Sequence, residues 1–249
     1  MSDTTRLRLV HAAPTVAVNE QAGRELLGRP AEENHIVQFY EDDDFLCDTV
    51  AHFLGAGLIR GEPIVVFATA AHRAGLRERL LEKAFDVDRA CAAGQITLLD
   101  ADEMLGRFMV GGLPNARLFN ESVGGVIETI RARRGPVRVR AFGEMVDLLW
   151  RRRNLEAALF LEVIWNDFGA TYPISLLCAY VMADFYQEGG GSRCHDVCAS
   201  HTHVLPSERF STADDGDERF RALSRLPQRT SEPKSDIEER RERDQASRR

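Results

Sequence analysis

Blocks of apolar residues alternate with polar turns along this chain, and their spacing predicts strands and helices in succession. A short apolar block at residues 36–40 predicts a strand, and the acidic run at 41–44 predicts a loop. A helix is predicted over 45–59 and a second strand over 63–68. Strand, helix and strand in this order form a βαβ unit, which is the unit that carries phosphate-binding loops in nucleotide-dependent ATPases.

The alternation of strands and helices continues to about residue 204. The further predicted elements are a helix over 70–83 capped by Thr69, a strand over 95–99, a helix over 113–134, a strand over 137–142, helices over 145–152 and 155–168 with Asn154 as the cap of the second, a strand over 174–180, and a last helix over 192–204 after the glycines at 189–191. Such alternation favours a largely parallel central sheet with helices on both faces. We therefore predict an α/β fold in the form of a three-layer sandwich.

The loop of the first βαβ unit has the wrong chemistry for a phosphate. A phosphate-binding version would place glycines, a Lys and a Ser or Thr between the strand and the helix. Here the positions are Glu41, Asp42, Asp43 and Asp44, without a glycine or a Lys. Carboxylates at a helix N-terminus satisfy the helix dipole themselves and repel a polyphosphate. We expect no functional phosphate loop.

The two ends of the chain differ in composition from its middle. The composition predicts that residues 1–33 form a flexible N-terminal arm with one short helix at 20–27, and that residues 34–205 form one domain. The tail at 206–249 is charged and sparse in apolar residues, and Pro227 and Pro233 interrupt its helical pattern. Such a composition predicts a loosely ordered or partly helical tail, with partner binding or a coiled coil as the alternative.

Composition narrows the compartment and the class of partner. At 249 residues, 44% of them hydrophobic, the chain can bury one sizeable core. The first residues lack the apolar segment of a signal peptide, and the longest apolar run, at 64–71, is too short to span a bilayer. Five cysteines, an odd number, argue against a disulfide framework. We expect a cytoplasmic protein without membrane contact, and a net charge of −7 argues against nucleic acid as a partner.

Candidate ligand-binding residues lie near the predicted strand ends. In open α/β sheets, ligands bind beyond the carboxyl ends of the strands. Tyr40, Glu144 and Tyr180 lie at or just past such ends, and Glu41 follows Tyr40 directly. His35 lies at the opposite end of the first strand, which argues against one shared pocket. Glu144 has a structural alternative as an acid in the first turn of the following helix.

Glu162 is a candidate because it lies within an apolar stripe of the helix predicted at 155–168. By helical spacing, one face of this helix carries Leu155, Leu159, Glu162, Val163 and Asn166. A Glu in such a stripe needs a hydrogen-bond partner, so it either lines a cavity or forms an internal polar clasp, for instance with an Arg such as Arg138 or Arg140. Trp165 points to the other flank, where packing and ligand stacking are both open.

Sulfur and imidazole groups form two further candidates. Cys178 lies two residues before Tyr180, so both side chains share one face of a strand, where a buried Cys usually acts as a small hydrophobe. On the last predicted helix, Cys194, Cys198 and His201 share a face at i, i+4 and i+7. They could hold Zn²⁺ or another transition metal with a fourth ligand from elsewhere, although their spacing matches no established zinc finger.

Several sequence words resemble one known family. They are His35-x-x-x-Phe39-Tyr40, Phe53-Leu54-x-x-Gly57-Leu58-x-x-Gly61-Glu62, Gly143-Glu144-Met145 with Leu149-Trp150, Leu161-Glu162 with Trp165-Asn166, Leu177-Cys178-Ala179-Tyr180, and Cys198-x-x-His201. In this order they resemble the MEDS domain, a sensory module first described for methanogens, methylotrophs and the dichloromethane-responsive regulator. The resemblance implies a degenerate, RecA-like relative of the clock ATPases.

The resemblance also implies a function. A MEDS-type module would be non-catalytic, would bind a small organic ligand and would relay its state to an output module in another polypeptide or in the tail. The ligand-binding candidates are then His35, Tyr40, Glu41, Glu144, Glu162, Trp165, Cys178 and Tyr180. Expected partners are the small molecule and a signalling protein such as a kinase or a transcription regulator. A homodimer and the identity of any cofactor stay open.

Besides a metal-binding sensor that would use the Cys/His cluster between Cys194 and His203, two other functions remain as alternatives. The first is an interaction scaffold that regulates a kinase or a sigma-factor antagonist without a ligand. The second is an enzyme, for which the sequence offers an acid/base pair of His35 and Glu144 and no further catalytic arrangement.

Overall fold

The computed structural model describes residues 15–16, 20–30, 35–185 and 190–211. Its strands are β1 (Thr15–Val16), β2 (His35–Tyr40), β3 (Ile64–Ala68), β4 (Ile96–Asp100), β5 (Met109–Val110), β6 (Leu113–Pro114), β7 (Val139–Gly143), β8 (Ile174–Val181) and β9 (His203–Leu205). Its helices are α1 (Glu20–Gly28), α2 (Asp43–Ile59), α3 (Ala70–Glu82), α4 (Val87–Ala92), α5 (Ala101–Phe108), α6 (Ala116–Phe119), α7 (Gly125–Arg134), α8 (Met145–Arg151), α9 (Leu155–Gly169), α10 (Gly190–Ala199) and α11 (Glu208–Ser211).

Seven of the strands form one sheet in the order β1-β9-β2-β8-β7-β3-β4. Every neighbouring pair in this sheet is parallel, while β5 and β6 form a separate antiparallel hairpin. The prediction of a largely parallel sheet is therefore confirmed.

Helices cover both faces of the sheet. On one face, Ile36 and Val66 pack with apolar residues of α1 to α4. On the other face, Val37 and Phe67 pack with residues of α5 to α10. Alternate residues of a strand point to opposite faces, so consecutive apolar residues of β2 and β3 fill two cores. The predicted three-layer sandwich is confirmed.

Side-chain caps explain where several helices begin. Thr69 accepts a hydrogen bond from the backbone N–H of His72 (3.4 Å), and Asn154 accepts one from Ala157 (3.3 Å), as the sequence predicts. Asp42 caps α2 by accepting from the N–H of Phe45 at 3.0 Å. Helix α2 therefore begins at Asp43, two residues before the predicted start.

Helix α1 belongs to the packed structure. Leu27 is buried with residues of α2, and its carbonyl accepts a hydrogen bond of 2.9 Å from the guanidinium of Arg140 on β7. Gly57 on α2 leaves room for this Arg, because a Cβ there would lie 2.5 Å from Arg140 Cδ. Most of the predicted arm and tail, together with Gly189 of the predicted hinge, lies outside the described residues.

Two predicted helices are wrong in part. Within 113–134, Leu113 and Pro114 belong to β6, and a π-helical turn at Asn120–Gly124 separates α6 from α7. The last helix ends at Ala199, because residues 203–205 pair with β2 as strand β9. The N–H of Thr202 donates to the carbonyl of His35 at 2.7 Å. Strand β9 thus provides hydrogen-bond partners for the backbone of β2, which a helix continuing through these residues could not provide. Helices α4 and α5 were not predicted.

Candidate functional site

The carboxyl ends of β2, β3 and β7 bring four polar side chains together. Tyr40 ends β2, Glu144 follows β7, His72 lies in the first turn of α3, and Asp147 lies in the first turn of α8. We call Tyr40, His72, Glu144 and Asp147 the carboxyl-edge cluster. The sequence predicted Tyr40 and Glu144 at this edge and missed His72 and Asp147.

Glu144 accepts hydrogen bonds within this cluster. Its carboxylate accepts from the backbone N–H of Thr69 and pairs with Nδ1 of His72. Nε2 of the same imidazole lies 3.3 Å from Asp43 at the start of α2. Burial alone would lower the pKa of His72, but Glu144 and Asp43 outweigh it and raise the pKa above its usual value. Glu144 thus pairs with an imidazole, and its carboxylate does not cap the following helix.

Asp147 is the second buried carboxyl of the cluster. It accepts hydrogen bonds from the hydroxyl of Tyr40 (3.2 Å) and from the N–H of Val181 (3.0 Å), and Arg151 lies 3.3 Å away. Burial raises the pKa of Asp147 to about 6. Burial and the nearby Asp147 also raise the pKa of Tyr40, so this hydroxyl acts as a donor at neutral pH.

The carboxyl-edge cluster lies where the helices that follow two neighbouring strands pack on opposite faces of the sheet. Strands β3 and β7 are neighbours, but α3 after β3 packs on one face and α8 after β7 packs on the other. Adjacent strands whose connections diverge leave a crevice beyond their carboxyl ends, and ligands of open α/β sheets bind there. Asp43 and Arg151, with side chains 69% and 44% exposed, form the rim towards solvent.

Four other candidates form a second cluster deep between β2, β8 and α9. We call His35, Glu162, Cys178 and His201 the buried His–Cys cluster; its ligand-type atoms all lie within 4.8 Å of one another. Nε2 of His35 lies 3.2 Å from Sγ of Cys178 and 3.3 Å from Oε2 of Glu162. The hydroxyl of Tyr180 donates to Oε1 of Glu162 at 2.7 Å. As predicted, Cys178 and Tyr180 share one face of β8.

Charge and burial set the protonation of this cluster. Burial alone would raise the pKa of Glu162, but His201, His35 and the hydroxyl of Tyr180 outweigh it and lower the pKa. Burial lowers the pKa of His201 to about 4, so this imidazole is neutral at physiological pH. Burial and the Glu162 carboxylate raise the pKa of Cys178.

Glu162 forms an internal polar clasp, but its partners are Tyr180 and His35, and the suggested Arg partners are wrong. Arg140 points to the other face of the sheet and pairs with Glu62, and Arg138 donates to the carbonyl of Pro30 at 3.1 Å. The predicted stripe on α9 is also rotated from the buried face. Among its members only Glu162 is fully buried, and the residues that share the buried side with it include Ala158, Leu161, Trp165 and Phe168.

The remaining predicted residues lie outside both clusters. Trp165 packs edge-on against Phe119, with ring centroids 4.9 Å apart, inside the aromatic core. Glu41 accepts a hydrogen bond of 3.3 Å from the hydroxyl of Ser207. Cys194 and Cys198 are buried on α10, but His201 follows the end of that helix and groups with the His–Cys cluster. The structure therefore does not unite Cys194, Cys198 and His201 as three ligands.

A local signal could have found two of the missed residues. His72 is the third residue of α3 and Asp147 the third residue of α8, and each of these helices follows a strand of the predicted sheet. Polar residues in the first turn after a strand end therefore belong among the candidates. The pairing of His35 with Glu144 is wrong, because Glu144 contacts His72 and His35 contacts Glu162.

A surface cleft of about 740 Å³ lies away from both clusters. Residues of α1 and of the second half of α2 line it, including Arg24, His52 and Ile59. None of the candidate residues from the sequence lines this cleft, so its size alone does not mark it as the functional site.

Comparisons with known proteins identify the family. No curated protein matches the chain. Within the described residues, no helix combines the length and apolar character needed to cross a membrane. Residues 34–202 match the family model described as MEDS, the methanogen/methylotroph, DcmR sensory domain. This match covers more than half of the 249 residues and includes both clusters. The chain therefore belongs to the MEDS family of sensory domains.

Proposed function

We propose that this protein is a non-catalytic sensory module that binds a small organic molecule at the carboxyl-edge cluster and relays its bound state to a signalling protein. The supporting observation is the convergence of Tyr40, His72, Glu144 and Asp147 beyond the carboxyl ends of β2, β3 and β7, where the connections of the sheet diverge. Clusters of buried polar groups with shifted pKa values are typical of functional sites.

The chemistry of the cluster suggests the class of ligand. Tyr40 offers a hydroxyl, His72 an imidazole, and Glu144 and Asp147 offer carboxyl groups. Within these four residues there is no Ser or Cys nucleophile, and the Tyr40 hydroxyl is a donor to Asp147. Such groups can orient an alcohol, an amine or a carbonyl compound by hydrogen bonds. A binding role without covalent chemistry therefore fits this set.

The relay is supported by contacts between the end of β2 and the segment after β9. Glu41 follows Tyr40, and its backbone N–H donates to the carboxylate of Glu208 at 3.1 Å. Its side chain accepts from Ser207 and lies 3.5 Å from the guanidinium of Arg209. A ligand that moves Tyr40 would therefore act directly on the segment that leads into residues 212–249.

A thermal-shift screen of small alcohols, amines, ketones and carboxylates tests the binding proposal. We expect a hit to raise the melting temperature of the full chain, with the affinity then measured by calorimetry. Tyr40→Phe should weaken binding about tenfold, since a lost hydrogen bond contributes about 1 kcal/mol or more and 1.4 kcal/mol is one decade. The matched control Tyr172→Phe alters a Tyr on the periphery of the aromatic core and should bind normally.

Three outcomes would contradict parts of the proposal. Unchanged affinity of every hit for Tyr40→Phe would place ligand binding elsewhere. Hydrogen exchange of residues 203–211 that does not change on binding would reject the relay through Glu41. Turnover of a bound compound by the full chain would reject the non-catalytic role.

A further inference from the structure

The buried His–Cys cluster contains four metal-ligating side chains that come from separate elements. His35 begins β2, Cys178 lies within β8, Glu162 lies on α9, and His201 lies between α10 and β9. Relative exposures are 5% for His35 and 0% for the other three. Polar groups at this depth require partners, and the hydrogen-bond directions show which partner is missing.

The orientation of His201 leaves one lone pair inside the cluster. Nδ1 lies 2.7 Å from the carbonyl oxygen of Val197. A carbonyl oxygen only accepts, so Nδ1 carries the proton and Nε2 of the neutral ring carries the lone pair. This Nε2 is buried without a hydrogen-bond partner and lies 3.5 Å from Oε1 of Glu162.

His35 has the same orientation. The side-chain amide of Asn166 donates through Nδ2 to the carbonyl of Ser200 at 2.9 Å, so its Oδ1 faces Nδ1 of His35, also at 2.9 Å. Nδ1 of His35 is therefore the donor in this contact, and Nε2 faces Cys178 and Glu162. Two imidazoles thus direct their Nε2 atoms towards the same carboxylate.

Protons satisfy this arrangement poorly, because the 3.5 Å between Nε2 of His201 and Oε1 of Glu162 is long for a hydrogen bond between these groups. A proton on Nε2 of His35 would pair with Glu162, but Nε2 of His201 would still face a carboxylate oxygen as a lone pair. Protonation of both rings would bury two positive charges whose ring centroids are 4.1 Å apart. One cation at the centre of the four groups would satisfy both imidazoles, the carboxylate and the sulfur together.

We propose that the buried His–Cys cluster binds one divalent transition-metal ion, such as Zn²⁺, through Nε2 of His35 and His201, a carboxylate oxygen of Glu162 and Sγ of Cys178. Bonds of about 2.0–2.3 Å in a tetrahedron place neighbouring ligand atoms about 3.4 Å apart. Nε2 of His35 lies 3.2 Å from Sγ of Cys178 and 3.3 Å from Oε2 of Glu162, close to this spacing. Nε2 of His201 lies 3.5 Å from the other oxygen, Oε1, and Sγ of Cys178 lies 3.9 Å from Oε2, so an ion would draw these groups slightly closer. Two nitrogens, one sulfur and one oxygen suit a borderline ion better than Mg²⁺ or Ca²⁺.

The surroundings resemble the outer shell of a metal site. Metal-bound imidazoles usually donate their second N–H to a carbonyl or a carboxylate, and His201 and His35 donate to the carbonyl oxygens of Val197 and Asn166. On binding, the thiol of Cys178 would release its proton to solvent and coordinate as the thiolate. The ion would join β2, β8 and α9 to the turn before β9, and thereby fix the position of the segment that leaves the domain.

Metal content of the wild-type full chain is the primary test. After removal of metals with a chelator and addition of Zn²⁺, elemental analysis should give one zinc per chain. Co²⁺ should give a thiolate-to-cobalt charge-transfer band together with the intense visible bands of tetrahedral cobalt. The proposal would be overturned if the wild-type chain bound no more Zn²⁺ or Co²⁺ than an unrelated protein without a metal site. This test does not depend on any variant.

Matched variants identify the ligands. Loss of a hydrogen-bond partner of a metal ligand weakens metal binding by about 10- to 100-fold. Cys178→Ser and Glu162→Gln change proposed ligands themselves, so each should weaken Zn²⁺ binding by about 100-fold or more. Asn166→Ala should weaken it by about 10- to 100-fold. Cys198→Ser, a buried Cys outside the cluster, should keep both the stoichiometry and the cobalt bands. Loss of the charge-transfer band in Cys198→Ser, with its retention in Cys178→Ser, would reject this ligand set in favour of α10.

The site is independent of the proposed ligand-binding crevice. Tyr40→Phe should leave zinc content unchanged, because Tyr40 packs in the core on the other face of the sheet. A metal site without ligand binding at the carboxyl edge would reject the proposed function alone, and ligand binding by a wild-type chain that takes up neither Zn²⁺ nor Co²⁺ would reject the metal site alone.

Discussion

The hydroxyl of Tyr40 donates to Oδ2 of Asp147 across 3.2 Å, and this bond joins the end of β2 to the first turn of α8. The other oxygen of Asp147 accepts from the N–H of Val181 at 3.0 Å. The buried carboxyl of Asp147 thus connects the ends of the neighbouring strands β2 and β8 to helix α8, which follows β7.

Asp147 should make the stability of the fold depend on pH. Its pKa of about 6 in the folded protein lies above the 3.8 of an exposed Asp. The folded state therefore keeps this proton between about pH 4 and pH 6 while the unfolded state loses it, so stability falls as pH rises through this range. Relative to Asp147→Asn, the wild-type chain should lose roughly 2–3 kcal/mol of unfolding free energy between about pH 4 and pH 7.

Denaturant unfolding of both chains at the two pH values checks this prediction. The comparison with Asp147→Asn removes the contribution of the other carboxyl groups, which titrate in both chains. Parallel pH profiles for the two chains would contradict it.

The Glu144–His72 pair predicts a fall of stability with rising pH as well, but at higher pH than Asp147. Glu144 and Asp43 raise the pKa of His72 although burial opposes them, so the folded state holds this proton more tightly than the unfolded state. The stabilisation is complete below about pH 6.5, the usual pKa of His, and is lost as pH rises through the higher folded value. Glu144→Gln should lower the pKa of His72, measurable by NMR titration of the ring protons.

The same substitution should cost little stability. His72 can release its proton when the carboxylate is replaced, so no charge is left buried, and we expect a loss of roughly 1–2 kcal/mol. Ligand affinity should fall about tenfold if the charge of Glu144 contacts the ligand. An unchanged pKa of His72 would reject the pair, and a loss above roughly 3 kcal/mol would indicate a mainly structural role for Glu144.

Local patterns predicted one part of each cluster. Tyr40 and Glu144 could be placed at the carboxyl edge because a strand end is a local property of the sequence. Cys178 and Tyr180 could be placed on one face because strand side chains alternate. In both cases the inference used residues within one element and its immediate neighbours.

The long-range contacts could not be predicted in this way. His201 reaches Glu162 only because α10 ends at Ala199 and the next residues pair with β2, while the helical pattern continues to Val204 in the sequence. Arg140 lies in a strand that was correctly predicted, but its partners come from α1, α2 and the turn after α2. Such contacts depend on how elements pack, which helical and strand periodicity do not specify.

Arg140 should be one of the most important residues for stability. Its guanidinium is fully buried, donates to the carbonyls of Leu27 (2.9 Å) and Phe53 (2.8 Å), and pairs with Glu62. Arg140→Met would remove the cation and leave Glu62 and two carbonyl groups without this partner. Loss of one member of a buried ion pair costs roughly 3–5 kcal/mol.

Equilibrium unfolding in denaturant measures this effect. The control is Arg117→Met, which removes an exposed pair with Glu121 one helical turn away and should change stability by less than about 0.5 kcal/mol. Equal effects of the two substitutions would show that the buried network around Arg140 does not stabilise the link between α1, α2 and β7.

The acidic loop between β2 and α2 predicts that the full chain does not bind ATP. The first N–H groups of a helix are the usual site for a phosphate, but here Asp42 accepts from the N–H of Phe45 at 3.0 Å. Asp43 lies 3.3 Å from His72, and Asp44 lies 3.0 Å from Arg79, so both carboxylates remain at the helix N-terminus. A triphosphate would have to displace Asp42 and approach two further negative charges. Titration calorimetry with ATP and Mg²⁺ should show no saturable heat, while saturable binding at micromolar concentration would mean that this loop still accepts phosphate groups.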